Sequence, residues 1–210
     1  VTAPEVVLAT RNPHKIVELR EILAQTGVEV RLVGLDRFPD LPEVPETGLT
    51  FADNALLKAS DVAHRTGLPA IADDSGLCVD VLGGMPGIFS ARWSGKHGDD
   101  AANLDLLLAQ ISDVADEHRQ AHFACAAALV IPEVPGLGQS GSPAQVVREG
   151  RIHGTLLRER RGENGFGYDP IFLPDGYDRT TAEMPPEQKN AISHRTRAFQ
   201  ALAKDLAELL

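Results

Sequence analysis

Apolar and polar positions along this chain repeat with two periods, one of strands and one of helices. Glu5 to Ala9 carries the run Val-Val-Leu-Ala, the pattern of a short buried strand. Asn12-Pro13 comes next; Asn caps free helix amides and Pro suits the first helical position. Ile16, Leu19, Ile22 and Leu23 then fall on one helical face, and Gly27 closes the helix. Val28 to Leu35 predicts a second strand, and Pro39 to Gly48 an acidic, proline-rich extended loop. A helix is predicted from Thr50 to Thr66, with Gly67 at its end and Pro69 just beyond. Pro69 to Gly76 reads as a strand that ends in Asp73-Asp74 and turns at Ser75-Gly76. Leu77 to Leu82 is a further strand, broken by Gly83-Gly84. Asp99 to Asp113 predicts a helix that buries Leu104, Leu107, Leu108 and Ile111. Phe123–Ile131, Val146–Leu157 and Tyr168–Leu173 carry strand signals, and Pro132 to Pro143 reads as a surface loop. The last helix has Phe199, Leu202, Leu206 and Leu209 at core spacing. Strands and helices alternate early and strands cluster later, so the class is α/β with a mixed sheet.

Length and charge narrow the function. At about 150 residues per domain, 210 residues make one large or two-lobed domain. Lys plus Arg is 20 and Asp plus Glu is 30, so the net charge is −10. That balance excludes a protein held to nucleic acid by a broad basic surface. A small anion in a locally basic pocket stays open, because a site's field can differ from the global charge. With 43% hydrophobic and 24% charged residues the chain is globular rather than disordered. Cys78 and Cys125 sit in apolar runs without Cys-x-x-Cys spacing, and read as buried thiols. No signal-peptide pattern and no stretch near 20 apolar residues occurs, which predicts a soluble, cytoplasmic chain with no membrane partner.

Five segments could carry chemistry. Thr10-x-Asn12-x-x-Lys15 joins a strand to a helix N-terminus, where free amides, the positive dipole end and Lys15 suit a phosphate. It lacks the Gly-x-x-x-x-Gly-Lys pattern of a P-loop. Asp73-Asp74-Ser75 places two carboxylates after an apolar run, which is costly unless they are paired or bind a metal. Neighbouring side chains on a strand point to opposite faces, so both acids reach one site only if the strand ends there. Hard oxygen donors favour Mg²⁺, and Glu46 offers a third carboxylate. Asn54 and Lys58, four apart, share one helix face opposite much of the apolar stripe, by default a solvated face. Gly165-Phe166-Gly167 could lay an aromatic on a flat base, or tuck it into the core. Lys189-x-x-x-Ser193-His194-Arg195 gathers donors near a helix start.

Taken in order, these segments resemble the inosine/xanthosine triphosphate pyrophosphatase family. The resemblance runs from Val6 to the last helix. Its motifs read Leu8-Ala-Thr-Arg-Asn-Pro-His-Lys15, Glu46-Thr-Gly-Leu-Thr-Phe-Ala-Asp-Asn-Ala55, Ala70-Ile-Ala-Asp-Asp-Ser-Gly-Leu77, Pro86-Gly-Ile-Phe-Ser-Ala-Arg92, Gly165-Phe-Gly-Tyr-Asp-Pro-Ile-Phe172 and Lys189-Asn-Ala-Ile-Ser-His-Arg195. The family implies one domain over 1–210, with two lobes around a long mixed sheet, flanking helices and a central active-site cleft, and a homodimer. It implies Mg²⁺-dependent hydrolysis of ITP, dITP and XTP to the monophosphate and pyrophosphate, cleansing the nucleotide pool. Thr10, Arg11, Asn12, Pro13, His14 and Lys15 would hold the phosphates, with Lys58 nearby. Glu46, Asp73 and Asp74 would meet the metal, Asp74 would activate water, and Ser75 would touch the substrate. Phe166, Gly167, Tyr168, Asp169, Lys189, His194 and Arg195 would form the nucleoside end. The direction of the Asp74 pKa shift stays open, because a neighbouring acid raises it and a metal opposes that. Arg11 and Pro45 depart from the usual pattern, Pro45 where relatives carry an acid, and Trp93 replaces a tyrosine. Two other readings compete: a phosphohydrolase that releases orthophosphate, and a nucleotide-binding sensor without turnover.

Overall fold

Strand β1, Glu5–Leu8, is buried on both faces and pairs in parallel with β2, Arg31–Gly34, and with β3, Ala70–Val79. The computed structural model describes residues 3–132 and 144–210, so most of the predicted Pro132–Pro143 loop lies outside the described residues. Between β1 and β2 runs helix α1, Pro13–Gln25, and between β2 and β3 runs α2, Phe51–Thr66. A two-residue strand β4, Met85–Pro86, pairs antiparallel with β3. Helix α3, Asp100–Gln110, then leads into the long strands β5, Gln120–Ile131, and β6, Ala144–Leu156. The short β7, Phe172–Pro174, runs antiparallel to β6, and helices α4, Pro186–Ile192, and α5, His194–Leu209, end the chain. The strand order is β2-β1-β3-β5-β6-β7 with β4 on β3, a mixed sheet of the expected α/β class.

The chain divides into two compact units: residues 1–74, 125–150 and 195–210 form the first, and residues 75–124 and 151–194 the second. In the first unit alternation along the strands sorts the core into two layers. Val6, Leu8 and Ile71, with Cys125, Ala127 and Leu129, face Leu19 and Ile22 of α1 and Phe199, Leu202 and Leu206 of α5. Val7, Ala70 and Ala72, with Ala126 and Ala128, face Ala55, Ala59 and Val62 of α2. A strand covered on both faces needs a continuous apolar run, which is what β5 shows. In the second unit Leu77, Val79, Leu104, Leu107, Ile111, Ile152, Ile171 and Phe172 make one core.

Several expectations are corrected. Asp73-Asp74 does not end a strand: β3 continues through Ser75-Gly76 to Val79. Gly76 lets it pass, since a Cβ there would collide with the Gly87 carbonyl and the Ser90 hydroxyl, and Ser90 Oγ accepts the Leu77 N–H at 2.9 Å. Tyr168 to Ile171 forms a turn rather than a strand, because Pro170 removes a ladder donor. The predicted Val28–Leu35 strand is shorter, and Leu209 is 45% exposed rather than in the core. The Asn12 cap on α1 and Gly67 at the end of α2, with φ 67°, hold as read. Thr50, read as the first helical residue, instead caps α2 in a reciprocal capping box with Asp53.

Candidate active site

The helix α1 entry is built by local hydrogen bonds. Asn12 Oδ1 accepts the Lys15 N–H at 3.3 Å, and Thr10 Oγ1 accepts the Asn12 N–H at 3.2 Å. This cap aims the first turn of α1, and with it Lys15, along the end of β1. Arg11 is exposed and donates to the Leu41 carbonyl at 2.6 Å. The side chains of Pro13 and His14 lie outside the described residues.

Because β3 stays regular, Asp73 and Asp74 point to opposite faces, and each meets the helix covering its own face. Asp73 follows Ile71 toward α1 and α5. Its Oδ2 lies 2.8 Å from Lys15 Nζ and 3.8 Å from Arg195 Nε. Arg195, on α5, also donates to Glu18 of α1 at 2.9 Å. Asp74 follows Ala72 toward α2. Its Oδ2 accepts Asn54 Nδ2–H at 3.0 Å, and its Oδ1 is 3.6 Å from Lys58 Nζ. Lys58 also donates to Glu46 at 2.8 Å, so one ammonium faces two carboxylates. Asn54 is fully buried and accepts the Gly48 N–H at 2.8 Å, which ties the Glu46 loop to α2. The solvated reading of the Asn54–Lys58 face is therefore overturned.

These surroundings split the two acids. Burial alone would raise the Asp73 pKa, but the charges of Lys15, Arg195 and Lys58 outweigh it and hold the carboxyl below its ordinary value. Burial pushes Asp74 up and Glu46 adds to the rise; Lys58, Lys15 and the Asn54 hydrogen bond do not cancel it. Burial would lower Lys58, but Asp74, Asp73 and Glu46 raise it and keep it charged. A pair of neighbouring groups with opposite shifts is a mark of acid–base chemistry.

The expected trio of Glu46, Asp73 and Asp74 does not converge. Among the described residues no three His, Cys, Asp or Glu side chains are grouped to hold a metal. Glu46 and Asp74, by contrast, already surround one cation, the Lys58 ammonium. Two carboxylates are the protein share that Mg²⁺ takes beside waters and substrate phosphates, so this donor set fits that ion.

The second unit carries the aromatic segment. Asp169 is buried, and Lys189 Nζ lies 2.8 Å from its Oδ2 and 5.0 Å from the centroid of the Phe166 ring. Phe166 is half-buried and lies outside the core, which removes the core-packing alternative. Gly167 N–H donates to Asp100 at 2.9 Å, and Tyr168 Oη to the Ser90 carbonyl at 2.9 Å. His194 is buried, with its ring stacked on Phe123 at 5.0 Å. Ser75 is half-buried on β3. Lys189 and Phe166 are thus brought together, whereas Arg195 goes to Asp73 and Glu18 in the first unit.

A family model, the Ham1 family, matches residues 6–205. The chain belongs to the Ham1 family. It is 61% identical over 204 residues to the dITP/XTP pyrophosphatase of Streptomyces avermitilis, covering 97% of this chain and 98% of that relative. A crystal structure of the nucleoside-triphosphatase / dITP/XTP pyrophosphatase from Mycobacterium abscessus is 54% identical with a TM-score of 0.76, covering 94% of this chain and 97% of that one. The structure of a HAM1 protein from Coxiella burnetii is 41% identical with a TM-score of 0.84, covering 98% and 99%. For this Ham1 chain, sequence reading missed Asn54 as a partner of Asp74 and Glu18 as a partner of Arg195. Asn54 left one trace, a buriable amide four residues before a lysine; Glu18 left none, since its partner lies 177 residues away.

Proposed function

We propose that this Ham1 chain hydrolyses the non-standard purine nucleotides dITP, ITP and XTP to the monophosphate and pyrophosphate, with Mg²⁺, and so cleanses the nucleotide pool. The enzyme class is that of its named relatives, a nucleoside-triphosphate pyrophosphatase. The observation that carries the reading is the setting of Asp74: buried, raised in pKa, held by Asn54 and next to the Lys58–Glu46 pair.

In this reading Asp74 orients and deprotonates the attacking water, and its raised pKa strengthens it as a base. Asn54 fixes one carboxylate oxygen and leaves the other turned toward Lys58. Thr10, Asn12 and Lys15, at the α1 entry, hold phosphate oxygens with Arg11, Pro13 and His14. Asp73 pairs with Lys15 and Arg195 and holds them in place for the triphosphate. Glu46 and Asp74 would hold Mg²⁺, which supplies charge neutralisation on the triphosphate. Phe166 stacks on the base, with Gly167, Tyr168, Asp169, Lys189 and His194 forming the nucleoside end and Ser75 touching the substrate. We read residues 1–210 as one catalytic domain that works as a homodimer in the cytoplasm. No helix among the described residues is long and apolar enough to cross a membrane.

Product analysis tests the proposal: dITP, XTP, dGTP and dATP are each supplied with Mg²⁺ or with a chelator. Metal-dependent pyrophosphate from dITP and XTP, with little from dGTP or dATP, is the expected result. Orthophosphate would make the enzyme a phosphohydrolase, and tight binding without product would make it a sensor.

A further inference from the structure

Lys58 Nζ stands between two carboxylates that reach it from different elements. Glu46, from the loop ahead of α2, accepts from it at 2.8 Å, and Asp74 Oδ1, on β3, lies 3.6 Å away. The second Asp74 oxygen accepts Asn54 Nδ2–H at 3.0 Å, so Oδ1 is the one turned to the ammonium. Lys15 of α1 is engaged on the opposite face of β3, by Asp73 at 2.8 Å. Each carboxylate carries one formal negative charge and Lys58 one positive charge. The trio therefore keeps one negative charge with Lys58 in place and two without it. The side chains of Lys58, Glu46 and Asp74 are 16%, 25% and 9% exposed, and at such depth water and salt screen a charge less than at the surface.

We propose that Lys58 is the resident counter-ion of the Glu46–Asp74 pair and competes with a divalent cation for it, so that the nucleotide-free protein binds that cation weakly. This rests on the reading of Glu46 and Asp74 as the metal-holding residues. An ammonium and a divalent ion seek the same carboxylate oxygens. Two cations beside one another repel, so each lowers the affinity of the pair for the other. Lysine suits the part, since its ammonium is a compact point charge on a flexible stem that can swing while α2 stays in place. In position it offsets the mutual repulsion of two part-buried acids. Lys58 thus has a role before any nucleotide arrives.

Mn²⁺ titration of the nucleotide-free protein, followed by electron paramagnetic resonance of the free ion, tests this, because Mn²⁺ takes the same oxygen donors as Mg²⁺. Circular dichroism and thermal melting check folding. Lys58→Met removes the charge and is expected to lower the Kd for Mn²⁺ by about ten- to hundredfold, the scale of one like charge removed beside a part-buried site. Lys58→Gln shifts it in the same direction and is the deciding variant should Lys58→Met fail to fold. Lys58→Arg keeps the charge and is expected to stay within about threefold of the parent. Glu46→Gln reports on the metal site itself and is expected to weaken binding. Weakened binding in Glu46→Gln with unchanged or weaker binding in Lys58→Met, or in Lys58→Gln as the deciding variant, would overturn the competition alone. So would Lys58→Arg binding as tightly as Lys58→Met, since charge would then not be what keeps the ion out. An unchanged Kd in Glu46→Gln would remove the metal-site reading, and this inference with it.

Discussion

Asp73 and Asp74 are adjacent in sequence, yet they face opposite sides of β3 and answer to lysines on different helices. Lys15 of α1 lies 2.8 Å from Asp73, and Lys58 of α2 lies 3.6 Å from Asp74. Strand alternation alone produces this division. It gives the two acids opposite shifts, Asp73 held below its ordinary pKa and Asp74 pushed above it.

That division predicts opposite pH responses of stability in the metal-free protein. The Asp73 pKa is lowered, so its contribution is present above the ordinary carboxylate value of 3.8 and is lost as pH falls through the lowered value. The Asp74 pKa is raised above 3.8, so the folded state loses stability as pH rises from that value through the raised one. Thermal melts in chelator between about pH 3 and pH 8 check both signs. Asp73→Asn is expected to melt below the parent at neutral pH, with the gap closing in acid. Asp74→Asn is expected to melt above the parent at neutral pH. A lower melting temperature for both variants at neutral pH would contradict the assignment of Asp74 as the destabilised acid.

The same Asp74→Asn substitution should separate binding from turnover. The amide keeps the shape and the place beside Asn54 but cannot accept a proton from water. Loss of a general base costs about 10²- to 10⁴-fold in kcat, with the KM for dITP close to that of the parent. Stability rising while activity collapses is the trade-off expected if a buried acid is kept for chemistry at a cost in stability. Near-parental turnover would move the base elsewhere.

Much of this was legible in the sequence because it depends on local rules. The Asn12-Pro13 helix start and Gly67 at the end of α2 are set by neighbours within four residues. The candidate phosphate and acid segments were visible for the same reason: Lys15 follows a cap, and Asp73-Asp74 interrupts an apolar run. What was not legible depends on packing at a distance. Ser75-Gly76 resembles a turn, but Gly76 is there to admit the Gly87 carbonyl and Ser90, so β3 runs on and the two acids part. Arg195 sits beside His194 in sequence, yet its guanidinium pairs with Glu18 and Asp73, which no spacing rule reaches.

Gly48 offers a test of how the Glu46 loop is held. A Cβ at this position would lie 2.7 Å from Asn54 Oδ1 and 2.9 Å from Asn54 N, closer than side-chain carbons approach such atoms. Gly48→Ala must therefore push the loop off α2 or break the Gly48–Asn54 hydrogen bond of 2.8 Å. Either displacement moves Glu46 from Lys58 and frees the Asn54 that holds Asp74. The expected result is a loss of about tenfold in kcat/KM, the scale of one hydrogen bond to a charged group, together with a higher Mg²⁺ concentration for half-maximal rate. A parental Mg²⁺ requirement would show that Glu46 does not serve the metal.

Arg119 predicts a stability effect with no part in the chemistry. It is only 1% exposed. Its guanidinium donates to three backbone carbonyls: from Nε to Leu156 at 2.8 Å, from Nη1 to Ile111 at 2.6 Å and from Nη2 to Leu157 at 2.9 Å. Ile111 caps the C-terminal end of α3, where a cation also meets the negative end of the helix dipole. The planar guanidinium reaches all three acceptors at once, which an ammonium does not. Arg119→Met keeps the bulk and removes every donor, so buried carbonyls lose their partners at an expected cost of about 2–4 kcal/mol. Arg119→Lys restores part of that loss. Urea unfolding of the three proteins orders them parent, Lys, Met, while kcat/KM for dITP per folded molecule stays unchanged. Equal midpoints for parent and Met would mean that water replaces the guanidinium at all three carbonyls.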